Sequence, residues 1–224
     1  MTRVFKAALA GLLFCLASCT AAHLLEPPAW MAEDGQAHFQ KRVAEIAALP
    51  RADDATLLLG DSITEGWLWQ AEQPGRAVLN HGVGWDVTEG LLARWPQYAE
   101  ADADTVLIMI GTNDISYGRT PDQVVPPLRE VLTRLKDAHP DARIILQSVL
   151  PREVNFRSRV GDLNAAYQAL SNEMSMEWLD LTEAFRSPDG TLDPTLTDDG
   201  LHLNAKGYRV WLSQLRNQDV TIDG

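Results

Sequence analysis

One serine, one asparagine and one acid–histidine pair stand out in this chain of 224 residues because of where they fall. Apolar runs at 56–59, 77–79 and 106–110 are each followed at once by a polar cluster. These clusters are Gly60-Asp61-Ser62-Ile63-Thr64, then Asn80-His81-Gly82-Val83-Gly84-Trp85-Asp86, then Gly111-Thr112-Asn113-Asp114. A fourth cluster, Asp199-Gly200-Leu201-His202, stands just before the last helical pattern. In open α/β sheets, reactive groups collect where loops leave the carboxyl ends of strands. A hydroxyl, an amide donor and an acid–base pair on one rim form the set that acyl transfer needs. An alcohol is a poor nucleophile until a base takes its proton. A carboxylate three residues before a histidine can share its turn, face the imidazole and fix its tautomer.

The elements that must position these groups are legible from hydrophobic periodicity. Short runs rich in Val, Ile and Leu at 56–59, 77–79, 106–110 and 144–149, with a weaker one at 178–181, predict strands buried on both faces. Phe39, Val43, Ile46 and Ala47 recur at helical spacing within 37–49. Leu128, Val131, Leu132 and Leu135 form a second stripe, and Val160, Leu163, Tyr167, Leu170 and Met174 a third. Pro126-Pro127 reads as the first turn of the second of these helices, and His139-Pro140 as its end. A last helix is expected at 204–217. Alternation of this kind predicts a three-layer α/β/α sandwich on a mostly parallel five-stranded sheet. The loop at 187–199, rich in Pro, Gly and Asp, is long enough to point to function.

Composition narrows the chemistry. With 31 acids against 19 Lys and Arg, the net charge of −12 disfavours nucleic acid, whose phosphates the surface would repel. Histidines and acids show no metal-ligand spacing, and GxxxxGK[ST] is absent, so neither a metal nor another cofactor is implied. Asp61 is expected to brace its loop, His81 to be a packed or exposed histidine rather than a residue of the site's rim, and His139 to sit at a helix C-terminus. Trp67, Trp69 and Trp85 follow the chemical clusters and could line an acyl or sugar pocket; Trp95 and Trp211 read as core. His23 and His38 fall in or near the N-terminal tether.

GDSIT, GTND and DGLH, in this order and at these spacings, resemble blocks of the GDSL or SGNH hydrolases, a likeness that runs over residues 55–216 and includes LHLNAKGY. The wording is most similar to small bacterial acylhydrolases and to members like platelet-activating-factor acetylhydrolase. The resemblance implies a flavodoxin-like SGNH fold and a cofactor-free serine esterase, with Ser62 as nucleophile, His202 as base and Asp199, rather than its neighbour Asp198, as the orienting acid. It implies an oxyanion hole from the Ser62 N–H, the Asn113 side-chain amide and a backbone N–H of the second cluster. Relatives carry glycine where this chain has Trp85. The third donor is therefore either Trp85, strained by about 1–2 kcal/mol if φ is positive, or Gly84 after a one-residue shift. The substrate expected is a small acyl ester, with short-chain acyl or acetyl groups favoured, or an acylated glycan. Carbohydrate O-deacetylation and acyl transfer in the cell envelope use the same residues, and a silent binding lipoprotein would keep the fold alone.

The N-terminus reads as an address. Arg3 and Lys6 precede an apolar stretch from Ala7 to Ala17, the layout of a secretory signal. Leu16-Ala17-Ser18-Cys19 resembles the lipobox of bacterial lipoproteins, which implies cleavage before Cys19 and lipidation of its thiol. Ordinary secretion, with cleavage near Ala21 or Ala22, is the alternative. The expected organisation is a signal peptide at 1–18, a lipidated tether at 19–34 carrying Pro27-Pro28, and one hydrolase domain at 35–224. Membrane contact is expected through the lipid anchor alone, on the periplasmic face and by default at the outer membrane, where Thr20 replaces the aspartate typical of inner-membrane retention.

Overall fold

A computed structural model describes residues 33–49, 52–67 and 77–220. The expected signal peptide, both cysteines (Cys15 and the lipidation candidate Cys19), His23 and Trp69 lie outside the described residues.

Five parallel strands form one sheet: β1 (Ala55–Gly60), β2 (Val78–Gly82), β3 (Ala103–Met109), β4 (Arg143–Gln147) and β5 (Glu177–Leu179), in the order β2-β1-β3-β4-β5. Alternating side chains go to opposite faces of a strand, and here both faces are apolar. Leu57, Leu59, Val106, Ile108 and Leu146 belong to one core; Leu58, Leu107, Met109 and Ile145 belong to the other. Helices cover both, which explains why these runs read as continuous hydrophobic segments. Against the first face lie α5 (Pro121–Ala138), through Leu128, Val131 and Leu135, and α6 (Arg157–Glu173), through Leu163 and Tyr167. The second face takes α8 (Ala205–Arg216), through Trp211, Leu212 and Leu215. The architecture is the expected three-layer α/β sandwich.

Helix α1 (Glu33–Ala47) begins inside the range assigned to the tether, and a separate small cluster of Phe39, Val43 and Ile46 closes over Val83. The reading of Pro126-Pro127 as a helix start is corrected: both lie inside α5, which begins at Pro121. Thr120 and Gln123 form a reciprocal capping box there, and Pro121 takes the first turn, where no N–H is needed. The two internal prolines forfeit ladder donors, but the buried stripe from Val124 to Leu135 and this cap hold the helix through them. Strand β2 extends to Gly82, so part of the second polar cluster is strand rather than loop.

Short helices follow the strands: α2 (Ser62–Glu65) after β1, α3 (Thr88–Ala93) after β2, α4 (Thr112–Ser116) after β3 and α7 (Thr182–Phe185) after β5. In the order 2-1-3-4-5, the sheet changes direction between β1 and β3, and the crevice outside that pair is where ligands of such folds bind.

Candidate active site

Ser62 opens α2 at that switch point. Asp61 caps the helix, its carboxylate accepting the Ile63 N–H at 3.0 Å. As the first helical residue, Ser62 has no helical acceptor for its own N–H. The Ser62 hydroxyl lies 2.9 Å from His202 Nε2, and His202 Nδ1 lies 2.6 Å from Asp199 Oδ2. The other oxygen of Asp199 accepts the N–H groups of Leu201 (2.9 Å) and His202 (2.7 Å). Burial works against the Asp199 charge, but the bonds from the His202 ring and these two amides hold its carboxyl well below the usual carboxylate range. Asp199 Oδ2 therefore fixes the proton of His202 on Nδ1 and leaves Nε2 free to accept from the serine. Asp198 turns away, toward Asn204.

The turn after β2 supplies the third side of the site. Asp86 N–H closes a β-turn on the Val83 carbonyl at 3.2 Å, with Trp85 third in the turn at φ +68°. A type II turn demands that left-handed value and normally takes glycine there. Every neighbouring amide is committed. Gly82 donates to Asn80 Oδ1 (2.9 Å), Val83 to the Gly60 carbonyl (3.0 Å), Gly84 to Glu65 Oε2 (2.6 Å) and Val87 to Asp86 Oδ1 (3.0 Å). In this run only the Trp85 N–H has no partner among the described residues. Asn113 stands on α4 and donates one amide hydrogen to the Asp86 carbonyl at 2.8 Å, which leaves the second hydrogen available. Gly111 precedes it at φ +122°, and a Cβ there would meet the Tyr167 hydroxyl at 2.8 Å.

Beneath these groups lies a layer of buried charge. Arg94 donates to Asp86 at 2.7 Å and to the Gly60 carbonyl at 3.2 Å, with both side chains of the pair almost fully buried. Burial pushes the Asp86 carboxyl up to about 6 against the opposing pull of Arg94. Burial likewise pushes Asp61 up to about 7, its Ile63 hydrogen bond opposing and the nearby Asp86 and Asp114 adding to the rise. Asp114 ties α4 to α3 by accepting from the N–H and hydroxyl of Thr88, and it meets Arg119 at 3.1 Å. Arg152, after β4, donates to the carbonyl and hydroxyl of Thr112 and to Ser116, and stacks over Phe156. His81 is packed, as favoured, buried edge-on to Tyr98, and burial with the charges of Arg94 and Arg42 drives it down to about 3.

Ser62, Asn113, Asp199, His202 and the Gly84–Trp85 turn thus come together from four separate loops. Trp67 does not join them: it is buried and stacks on Trp211 at 4.2 Å, so it serves the core rather than a pocket. Trp85 is 42% exposed. His38 lies on α1, just beyond the range assigned to the tether, and reaches Glu65 at 2.9 Å. Glu65, Arg94 and Arg152 carry no signal in the motifs. A hint exists only for Glu65, three residues beyond Ser62 and hence on its side of a helix.

A serine whose proton can pass to an oriented imidazole, on the same rim as N–H donors left without a partner among the described residues, suits attack on a carbonyl and capture of the resulting oxyanion. Comparison with known proteins points the same way. The profile of the GDSL-like lipase/acylhydrolase family matches residues 58–210. Platelet-activating factor acetylhydrolase IB subunit alpha1 of Pongo abelii is 28% identical over 166 residues, covering 68% of this chain and 69% of that protein. The thioesterase 1/protease 1/lysophospholipase L1 of Escherichia coli (strain K12) is 28% identical over 168 residues, 68% of this chain and 77% of its own. A solved GDSL-like lipase of Bacteroides thetaiotaomicron superposes with TM-score 0.66 at 21% identity, over 81% of this chain and 97% of the other. An acetyl-xylooligosaccharide esterase of Geobacillus Stearmophilus does so with TM-score 0.62 at 22% identity, over 74% and 94%. The chain belongs to the GDSL-like lipase/acylhydrolase family and is a hydrolase of that family.

Proposed function

We propose that the protein hydrolyses carboxylic esters with short acyl groups, acetyl foremost, through an acyl-enzyme on Ser62. The observation that carries this reading is the continuous relay from the Ser62 hydroxyl through His202 to Asp199, at 2.9 and 2.6 Å. Ser62 Oγ attacks the ester carbonyl carbon as its proton passes to His202 Nε2. The carbonyl oxygen becomes an oxyanion that takes hydrogen bonds from the Ser62 N–H, the Trp85 N–H and the free amide hydrogen of Asn113. One such donor contributes about 3–4 kcal/mol in the transition state. Collapse breaks the bond to the alkoxide, which leaves with the proton from His202. Water then gives a proton to His202 and attacks the acyl carbon, and a second collapse returns that proton to Ser62 and frees the acid.

Two of the similar proteins are named for acetyl esters, and the exposed indole of Trp85 belongs to the residue of the proposed oxyanion donor, where its bulk would narrow the mouth. Both favour a small acyl group. A lipid or a glycan can carry that group through the same chemistry, so carbohydrate O-deacetylation is the second reading. We place the enzyme in the cell envelope, anchored by lipid on Cys19, on the strength of Leu16-Ala17-Ser18-Cys19 after an apolar stretch.

The test is hydrolysis of p-nitrophenyl acetate, butyrate and octanoate beside a Ser62→Ala variant. The expected order is acetate ahead of octanoate, with the variant down by about 10³-fold or more. Activity unchanged by the substitution would remove Ser62 from the mechanism.

A further inference from the structure

The turn that carries Trp85 is not held by its own backbone alone. Glu65, the last residue of α2, reaches across to it, and Glu65 Oε2 accepts the Gly84 N–H at 2.6 Å. The same oxygen is 2.9 Å from His38 Nε2, and Arg42 Nε lies 3.8 Å from Glu65 Oε1. Arg42 also donates to the carbonyls of Gly82 (3.0 Å) and Asn80 (2.8 Å). His38 and Arg42 are one turn apart on α1, an element outside the 58–210 span that matches the family profile. The fit is close: a Cβ on Gly84 would come within 2.9 Å of His38 Nε2 and 3.3 Å of Glu65 Oε2, and a Cβ on Gly82 within 2.2 Å of the Glu65 nitrogen.

We propose that Glu65 is a positioning residue that assigns the two competing amides of this turn, with α1 as its support. By taking the Gly84 N–H, its carboxylate removes that donor from the site. It also pins the turn in the conformation that turns the Trp85 N–H outward and gives Trp85 its left-handed φ of +68°. A turn bearing a bulky residue at that φ would otherwise relax by rotating the Gly84–Trp85 peptide, because the relaxed form suits tryptophan better. That rotation would carry the Trp85 N–H away from the oxyanion. His38 and Arg42 hold the carboxylate in place from the other side. The chain thus uses an ion-paired brace where glycine would adopt the same turn freely. The proposal rests on the esterase reading above, and Glu65 itself touches no substrate.

The experiment compares Glu65→Leu, which removes the acceptor, with Glu65→Gln, whose amide oxygen still accepts the Gly84 N–H. Steady-state hydrolysis of p-nitrophenyl acetate is measured with inhibition by a trifluoromethyl ketone, whose adduct with Ser62 places an oxyanion in the hole. Displacing one donor predicts a fall in kcat of about 100- to 1,000-fold for the leucine variant. KM should stay within about threefold, and inhibitor affinity should fall in step with kcat/KM. The glutamine variant should keep kcat within about fivefold of the parent, because only the charge assistance is lost. A leucine variant with near-parental kcat, a loss confined to KM, or an equal collapse of both variants overturns the proposal. The Gly84 amide proton resonance gives a readout independent of turnover and of whether the leucine variant folds. It should lie far downfield in the parent and move upfield in the glutamine variant, and an unmoved resonance also overturns the proposal. If the parent cleaves no ester while the resonance behaves as expected, the brace stands and it is the esterase reading that fails.

Discussion

Trp85 concentrates the tension between this sequence and its site. Its φ of +68° is a value that L-residues with a Cβ adopt at a cost of about 1–2 kcal/mol, and no other residue in the turn shares the load. The indole is 42% exposed, so truncating it removes little packing. Trp85→Ala should therefore keep the strain and leave the urea midpoint almost unchanged. Trp85→Gly relieves it, partly offset by the entropy of glycine in the unfolded chain, and should be more stable than the alanine variant by about 0.5–1 kcal/mol. Equal midpoints would show that the turn has relaxed and that Trp85 bears no strain. The four residues proposed for the chemistry are legible in the amino-acid sequence alone: Ser62, Asn113, Asp199 and His202 announce themselves by type, order and position at element boundaries. The choice between Gly84 and Trp85 is not. In the brace proposed above it falls to the Glu65 carboxylate, which takes the Gly84 N–H from 19 residues away in sequence, and no local spacing encodes that reach.

At the level of elements, the ends of β1, β2 and β3 each hand one group to the rim, and a buried polar layer keeps those ends in register. Asp61 belongs to both, capping α2 while lying wholly inside the protein. Burial raises its carboxyl to about 7, against 3.8 when exposed. Between roughly pH 4 and 7 the folded protein thus holds a proton that the unfolded chain has released. The contribution of this group is full below pH 4 and is lost as pH rises through 7. Asp61→Asn keeps the capping acceptor without the titration. Its stability relative to the parent, read from urea midpoints, should be near zero at pH 4 and should grow to the order of 2–4 kcal/mol by pH 8. A difference that does not change with pH would mean that Asp61 is ionised in the folded state throughout. The strands are readable because burial on both faces leaves uninterrupted Val/Ile/Leu runs. The start of α5 is hidden because Pro126-Pro127 imitates a first turn, whereas the capping box at Thr120 and Gln123 and a buried stripe beginning at Val124 carry the helix through it. Helix α1 is visible as a helix, but its role is not: Arg42 and His38 act on residues 27 to 40 positions away.

For the whole molecule, the sheet order 2-1-3-4-5 dictates where chemistry can occur: Ser62 after β1 and Asn113 after β3 flank the crevice where the winding reverses. Among the described residues no helix is long and apolar enough to cross a membrane. With a net charge of −12 the protein gains nothing from anionic headgroups, so the proposed membrane contact depends on the acyl chains at Cys19, each buried methylene adding about 0.8 kcal/mol. Cys19→Ala should shift the protein from the membrane to the soluble fraction of fractionated cells, and retention in the membrane would exclude a lipid anchor. Everything proposed for the site depends on one serine having been made a nucleophile. No measurement bears on that more closely than labelling the folded protein with a fluorophosphonate and locating the adduct by peptide mass spectrometry. The expected result is a single phosphonyl group on Ser62, abolished by Ser62→Ala and formed far more slowly in His202→Ala. An intact protein that takes no label, or one that takes it elsewhere with Ser62 unmodified, would contradict it.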